Sequence, residues 1–588
     1  MYWSLKELYE SFECNEYQSD LKKIDELIVE FTTWSETLDQ KDLSDEQKMI
    51  DFVRYMEVIS TLLTKTSAFA SLTNATDANN ETSLAMLNKL TVASSQLTQP
   101  SVRFQKFLKE CVEFDLILTQ SETLAPYRFF LSQIKVRADK MLSEKEEVLI
   151  AKMSMTGSTA WSNLQNKLSS NLLVDIELDG ELKSLPLPAV RNLAYHKDAD
   201  VRRRGYEAEM TAYRKIEESS AAALNGIKGE VNTLVQIRGY ENALEETLEK
   251  SRMNAEILDA MFTAIKEVLP EFRKYYRRKG ELLGHTKGLP FYDMFAPVKE
   301  VKLEMEYEEA MKFIIEQFKT FSSRLSDFTQ YAYDHQWLDV VPRSGKRGGA
   351  FCSNLHAIRE SRILSNYNGS FSNLTTLAHE LGHAYHGYNL IDESILNSRY
   401  PMPIAETASI FCETIVVNAA MKKVSDEEKM AILEASISDA GQVIVDIYSR
   451  FVFESALFDK RKDTVLSVND LKQLMIMAQK EAYGDGLDND VLHPYMWINK
   501  PHYYSAGLNF YNFPYAFGLL FAKGLYAQYL VEGESFVKKY DDLLNATGKE
   551  LIADVAKRVN IDVTKPDFFR QSLDLIVKDI HQFIQLSK

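Results

Sequence analysis

Thr375-Thr376-Leu377-Ala378-His379-Glu380-Leu381-Gly382-His383-Ala384-Tyr385-His386 places two histidines four positions apart in a segment that is otherwise a good helix. Four residues advance an α-helix by about 400°, so His379 and His383 leave one face a single turn apart. That is the placement two imidazoles need to share a tetrahedral zinc. Glu380 stands beside them, close enough to reach a water held there without being a ligand itself. The competing reading is a pair of core or surface histidines on an amphipathic helix, and Gly382 counts against it. A glycine inside a helix costs about 1 kcal/mol relative to alanine, so something is expected to pack closely at that point.

Catalytic zinc takes three protein ligands and leaves one position for water. A third histidine six residues past His383 is excluded, because position 389 is Asn. His386 follows His383 by one turn, but three successive ligands along one straight helix strain a tetrahedron, so His386 reads as a supporting or core residue. A carboxylate on a second helix is the better candidate. Ala405-Glu406-Thr407-Ala408-Ser409-Ile410-Phe411-Cys412-Glu413 offers Glu406, with Glu413 seven residues later on the same helical face. Their neighbours are largely apolar, which turns both glutamates inward, and buried carboxylates are expensive unless paired or bound to metal. Glu406 is therefore read as the third ligand and Glu413 as the partner that orients a histidine, against a bland reading of two surface glutamates.

Outward from these segments the pattern is helical. Gly (23) and Pro (14) are scarce for 588 residues, and Leu258, Met261, Phe262, Ile265, Val268 and Leu269 fall on one helical face, as do Met311, Ile314, Ile315 and Phe318. No fixed-period repeat or low-complexity tract interrupts the chain. The clearest break is Leu185-Pro186-Leu187-Pro188, after a strand-like Leu172–Leu178 run and an Asp179-Gly180 turn signal. It predicts a helical N-terminal region, 1–185, and a larger catalytic region, 186–588. A second break, Val340 to Phe351, carries Gly345, Gly348 and Gly349, the mark of a bulge or a close backbone approach.

The formal charge of −17 and the lack of a Lys/Arg stripe argue against a nucleic-acid partner. Met1–Leu8 has no apolar leader core, and no stretch reaches the roughly eighteen uninterrupted apolar residues of a membrane span. Cys14, Cys111, Cys352 and Cys412 lie far apart, which is neither a disulfide framework nor a cysteine zinc pattern. A cytoplasmic location is expected, with any metal held by His and carboxylate.

His379–His386 followed by Ala405–Ser409 resembles the zinc site of the oligoendopeptidase F branch of the thimet oligopeptidase family. So do Ala223–Glu230 with Arg238–Glu241, Gly345–Cys352 and Pro566–Leu573. The resemblance implies a mostly α fold, a large helical zincin of the gluzincin kind. It encloses a deep substrate channel, with a small β-sheet beside the metal helix and one zinc ion per chain. It further implies cleavage of internal bonds in short unstructured oligopeptides, without membrane or nucleic acid. The Gly345–Phe351 and Ile363–Tyr367 stretches would border the cleft and hold an extended peptide by strand addition. With zinc on His379, His383 and Glu406 acidifying a water and polarising the scissile carbonyl, Glu380 takes the water proton and passes it to the leaving amine. The family draws oxyanion donors from a His and Tyr cluster, and Lys500–Gly518 fits that place, with His502 and Tyr515 ahead of Tyr511. The Gly507 neighbourhood is expected to be a mobile loop. Two other readings stand beside this one. A metallocarboxypeptidase would use Arg343, Lys346 or Arg347 to hold a peptide carboxylate. An inactive peptide-binding scaffold would lack a ligand or the base, yet His379, His383, Glu406 and Glu380 are all present.

Overall fold

The computed structural model describes residues 1–40, 43–299 and 304–588. Helices dominate, as the scarcity of glycine and proline predicts, and many open on side-chain caps. Ser44, Ser143, Ser370, Ser425 and Ser467 each accept a bond from a backbone N–H of the first turn, satisfying donors that the helix itself cannot.

The chain forms two compact units, each built from three separated segments: Met1–Met141, Leu303–Lys422 and Gln528–Ile561 in unit 1, and Leu142–Lys302, Lys423–Ala527 and Asp562–Lys588 in unit 2. Unit 2 contains an antiparallel hairpin, β1 (Leu173–Leu178) and β2 (Glu181–Pro186), in register from Leu173↔Pro186 to Leu178↔Glu181. Asp179 (φ 55°) and Gly180 (φ 77°) both take left-handed backbone in its two-residue turn, the geometry that matches the twist of the strands. The hairpin covers the strand and turn expected at 172–180 and lies inside unit 2. Val174 and Ile176 point into a core with Leu224, Ile227, Phe453, Leu471, Trp497 and Tyr503.

Unit 1 holds a three-stranded sheet of β3 (Leu338–Asp339), β4 (Phe351–Leu355) and β5 (Glu360–Leu364), ordered β3-β5-β4. β3 runs parallel to β5, and β4 pairs antiparallel with it, which leaves β4 on an edge. The Phe371–Tyr388 helix follows β5 and packs along the Thr407–Met421 helix. Among the described residues one helical run, Met402–Met421, is long and apolar enough by length and composition to cross a membrane. It carries Glu406 and Glu413, and Ala408, Phe411, Cys412 and Val416 are buried in unit 1.

Candidate metal centre and active site

Ser370 caps the Phe371–Tyr388 helix, which carries His379 and His383 with ring centroids 4.9 Å apart. About three turns beyond the cap, the helix meets the start of the Thr407–Met421 helix at Gly382. A Cβ there would lie 2.5 Å from the Ala408 carbonyl oxygen and 2.6 Å from Ser409 Cα. This backbone-to-backbone approach is the close packing the sequence called for at Gly382. It brings Glu406, the N-cap residue of the second helix, to the histidines.

Glu406 Oε2 lies 3.2 Å from His379 Nε2 and 3.4 Å from His383 Nε2. Ligand bonds of about 2.0–2.1 Å around a tetrahedral zinc require neighbouring ligand atoms roughly 3.3 Å apart, so both separations match a tetrahedral edge. The other ring nitrogen of His379, Nδ1, is 3.2 Å from Glu413 Oε2, which leaves Nε2 free to face the cluster. Ser409 Oγ donates to Glu406 Oε2 at 2.8 Å and fixes its rotamer.

The electrostatics favour a cation at this point. Burial lowers the pKa of His379, but the Glu406 and Glu413 carboxylates outweigh it and raise it to about 10. Burial raises the Glu406 carboxyl, and the two imidazoles more than reverse that, holding it well below the usual range. Glu380 is buried and its pKa is raised, chiefly by desolvation with the Glu406 charge adding, while the two histidines and the Cys352 backbone amide oppose the shift. Three carboxylates therefore surround two imidazoles, and the donor set of two nitrogens and one oxygen is one that zinc accepts.

His386 points away from the cluster. It is fully buried, stacked on Tyr400 at 3.9 Å, and its Nε2 bonds Thr547 Oγ1 at 2.8 Å. β4 also serves the site: Cys352 supplies the amide beside Glu380, and Asn354 donates to the His383 carbonyl at 3.3 Å. Arg343 and Lys346 are already engaged. Arg343 donates two bonds to Asp339 at 2.7 and 3.0 Å, and Lys346 Nζ lies 2.8 Å from the same carboxylate and donates to the Ser365 carbonyl at 2.6 Å.

The sequence profile of Peptidase family M3 matches residues 192–575, and that of Oligopeptidase F matches 113–172. The chain belongs to peptidase family M3. Within it, the chain falls in the oligoendopeptidase F branch and is a peptidase. It is 24% identical over 577 residues to oligopeptidase PepF of Bacillus subtilis, covering 96% of this chain and 84% of that one. It is also 24% identical over 558 residues to the group B oligopeptidase PepB of Streptococcus agalactiae, covering 92% of each chain. The crystal structure of oligoendopeptidase-F from Enterococcus faecium shares the fold, with a TM-score of 0.71, 19% identity, and 97% and 98% of the two chains covered. The fold is thus that of a large helical M3 peptidase.

The ligand cluster and Glu380 belong to unit 1, while His502, Tyr511 and Tyr515 belong to unit 2. There the Tyr511 and Tyr515 hydroxyls are 3.1 Å apart, and the His502 ring stacks on Tyr511 at 5.6 Å. Arg450 Nη1 donates to Asn512 Oδ1 at 3.1 Å, which turns the Asn512 amide nitrogen toward His502 Nε2 at 2.8 Å. His502 Nε2 is then an acceptor, and the ring proton sits on Nδ1. Burial and the charges of Arg450, Lys500 and Lys228 push the His502 pKa down to about 3, so the ring is neutral. The adjoining loop is pinned more firmly than the Gly507 signal suggested. Buried Lys228 bonds Glu454 at 2.8 Å and Asn509 at 2.9 Å, and Glu454 accepts the Phe510 amide at 3.1 Å where Phe510 has a φ of 51°. Arg450, Asn512, Lys228 and Glu454 were not found from sequence, since partners up to 281 positions apart leave no spacing signal. Ser409, three residues after Glu406, has the short-range spacing of a helix-start contact and was legible in principle.

Proposed function

We propose that this peptidase is a zinc metalloendopeptidase that hydrolyses internal bonds of short, unstructured oligopeptides. Residues 1–185 would form its N-terminal region and 186–588 its catalytic region. The observation that carries the reading is the convergence of His379 Nε2, His383 Nε2 and Glu406 Oε2 at tetrahedral-edge separations, with Glu413 occupying the far nitrogen of His379. His379, His383 and Glu406 would hold one zinc ion per chain. When bound, the ion supplies a Lewis acid for the peptide carbonyl and makes a water more acidic. Glu380, buried and with a raised pKa, removes the proton from the attacking water and returns it to the leaving amine. The Cys352 amide holds the Glu380 carboxylate in place, and the edge of β4 offers main-chain groups for an extended peptide. His502, with its proton on Nδ1, and the Tyr511–Tyr515 hydroxyl pair are assigned as donors to the developing oxyanion, with the family resemblance as support.

The engagement of Arg343 and Lys346 with Asp339 removes two of the three cations that the metallocarboxypeptidase alternative could use, and leaves it Arg347, exposed over the Phe351 ring. The test is a mass-spectrometric digest of a mixed pool of peptides, roughly 5–30 residues long, beside one folded protein. Internal cuts confined to the peptides are expected from zinc-loaded protein. Glu380→Gln should bind a full equivalent of zinc yet lose about 10²–10⁴-fold in rate. Stepwise loss from one terminus, or turnover by Glu380→Gln, would overturn the reading.

A further inference from the structure

Unit 2 contains a cavity of about 280 Å³ that the reaction described above does not use. Basic side chains (Arg191, Arg450, Lys500) and aromatic ones (Tyr195, Phe291, Phe295) share its wall. Arg202, also at the wall, is paired: Nε donates to Asp293 at 2.6 Å and Nη1 to the carbonyls of His196 and Lys197. The other cations have fewer partners. Arg450 gives its two terminal nitrogens to Asp446 and Asn512, but its buried Nε donates to nothing among the described residues. Arg191 Nε is 3.5 Å from Glu209 Oε1, an oxygen that His493 Nε2 also approaches at 3.5 Å. Lys500 Nζ has no hydrogen-bond or ion-pair partner among the described residues, and burial beside Arg450 lowers its pKa to about 7.

With the Arg202–Asp293 pair set aside, three cations (Arg191, Arg450, Lys500) face two carboxylates (Glu209, Asp446). With Lys500 protonated the surplus is one positive charge; the lowered pKa is the cost of that unpaired ammonium, and an anionic ligand would hold it protonated. The wall is also built on a π-helical turn, Gln442–Asp446, inside an otherwise α-helical run. Turns of this kind are concentrated at functional sites. The volume, just below the roughly 300–1,000 Å³ of ligand pockets, suits one residue rather than a length of chain. A free amino acid would bring an ammonium as well, and Glu209 and Asp446 are already engaged.

We infer that this cavity binds the C-terminal residue of a peptide, with its α-carboxylate on Lys500, Arg450 and Arg191 and an apolar or aromatic side chain among Tyr195, Phe291 and Phe295. None of His379, His383 and Glu406 lines this cavity. Isothermal titration calorimetry of the full chain with N-acetyl-phenylalanine, N-acetyl-phenylalaninamide and free phenylalanine tests it. The N-acetylated acid should bind at least tenfold more tightly than either of the others. Lys500→Met and Arg191→Gln should each weaken it at least tenfold, Lys500→Arg should restore it, and Glu406→Ala should leave it in place. Thermal melting identifies a variant that fails to fold, and Arg191→Gln, at a partly exposed side chain, then stands in for Lys500→Met. Equal affinity for acid and amide, or binding unchanged in both charge-removing variants, would overturn the site. Binding lost in Glu406→Ala alone would place the carboxylate on the metal centre instead. Free phenylalanine binding as tightly as the acetylated form would overturn the assignment to a peptide end.

Discussion

His379 in unit 1 and His502 in unit 2 are the same side chain driven in opposite directions. Both are largely buried, and burial by itself disfavours the imidazolium in each. At His379 the carboxylates of Glu406 and Glu413 overcome that cost and raise the pKa to about 10. At His502 the neighbours are Arg450, Lys500 and Lys228, which add to the burial and take it down to about 3. The difference teaches what each region is built for. The first attracts a positive charge at Nε2, which a metal ion satisfies, and the second keeps a neutral ring with one N–H as a fixed donor.

The comparison breaks most severely at Glu406. Glu406→Ala removes the oxygen shared by both imidazoles, so metal and activity should disappear together. Zinc analysis after gel filtration beside a peptide assay checks this, and full zinc retention would move the third ligand elsewhere. Glu413→Gln keeps the shape at His379 Nδ1 but removes a charge, and should weaken zinc roughly 10–100-fold in a competition titration with a chelator. Gly382→Ala drives a methyl into the Ala408 carbonyl and should cost about 1–3 kcal/mol in denaturant unfolding, with zinc affinity falling as the two helices separate.

The smallest effect sharpens the other side. Long-range ¹H–¹⁵N spectra of His502 should show the Nδ1-protonated neutral ring from pH 7 down to about pH 4, and Arg450→Met should raise its pKa. The depressed value also has a sign in stability. Between about pH 6.5 and 3 the unfolded chain binds the proton that folded His502 refuses, so His502 favours unfolding increasingly as pH falls through that window and is neutral to stability above it. Buried His386, also lowered to about 3, acts in the same direction.

Helical content, the pairing of His379 with His383, the candidacy of Glu406 and Glu413, and the first strand and Asp179-Gly180 turn of the hairpin were legible in sequence, while its second strand, Glu181–Pro186, was not. Each depends on local periodicity: 3.6 residues per turn places i and i+4 together, and left-handed turn residues are restricted in kind. Gly382 was legible as an anomaly, and the structure supplied its cause. What stayed hidden were contacts between segments distant in the chain. Examples are Asn512 under Arg450, Lys228 bridging Glu454 and Asn509, and Lys346 held by Asp339 and Ser365 rather than left for a ligand.

By itself, the sequence determined the candidates on offer, for metal binding and for moving a proton, and that helices would carry them. Only the tertiary structure decided their states. A pKa, a tautomer or a free donor depends on the charges and dielectric within a few ångströms, and those are set by packing between distant segments. The two histidines therefore read alike in the chain and differ in the fold.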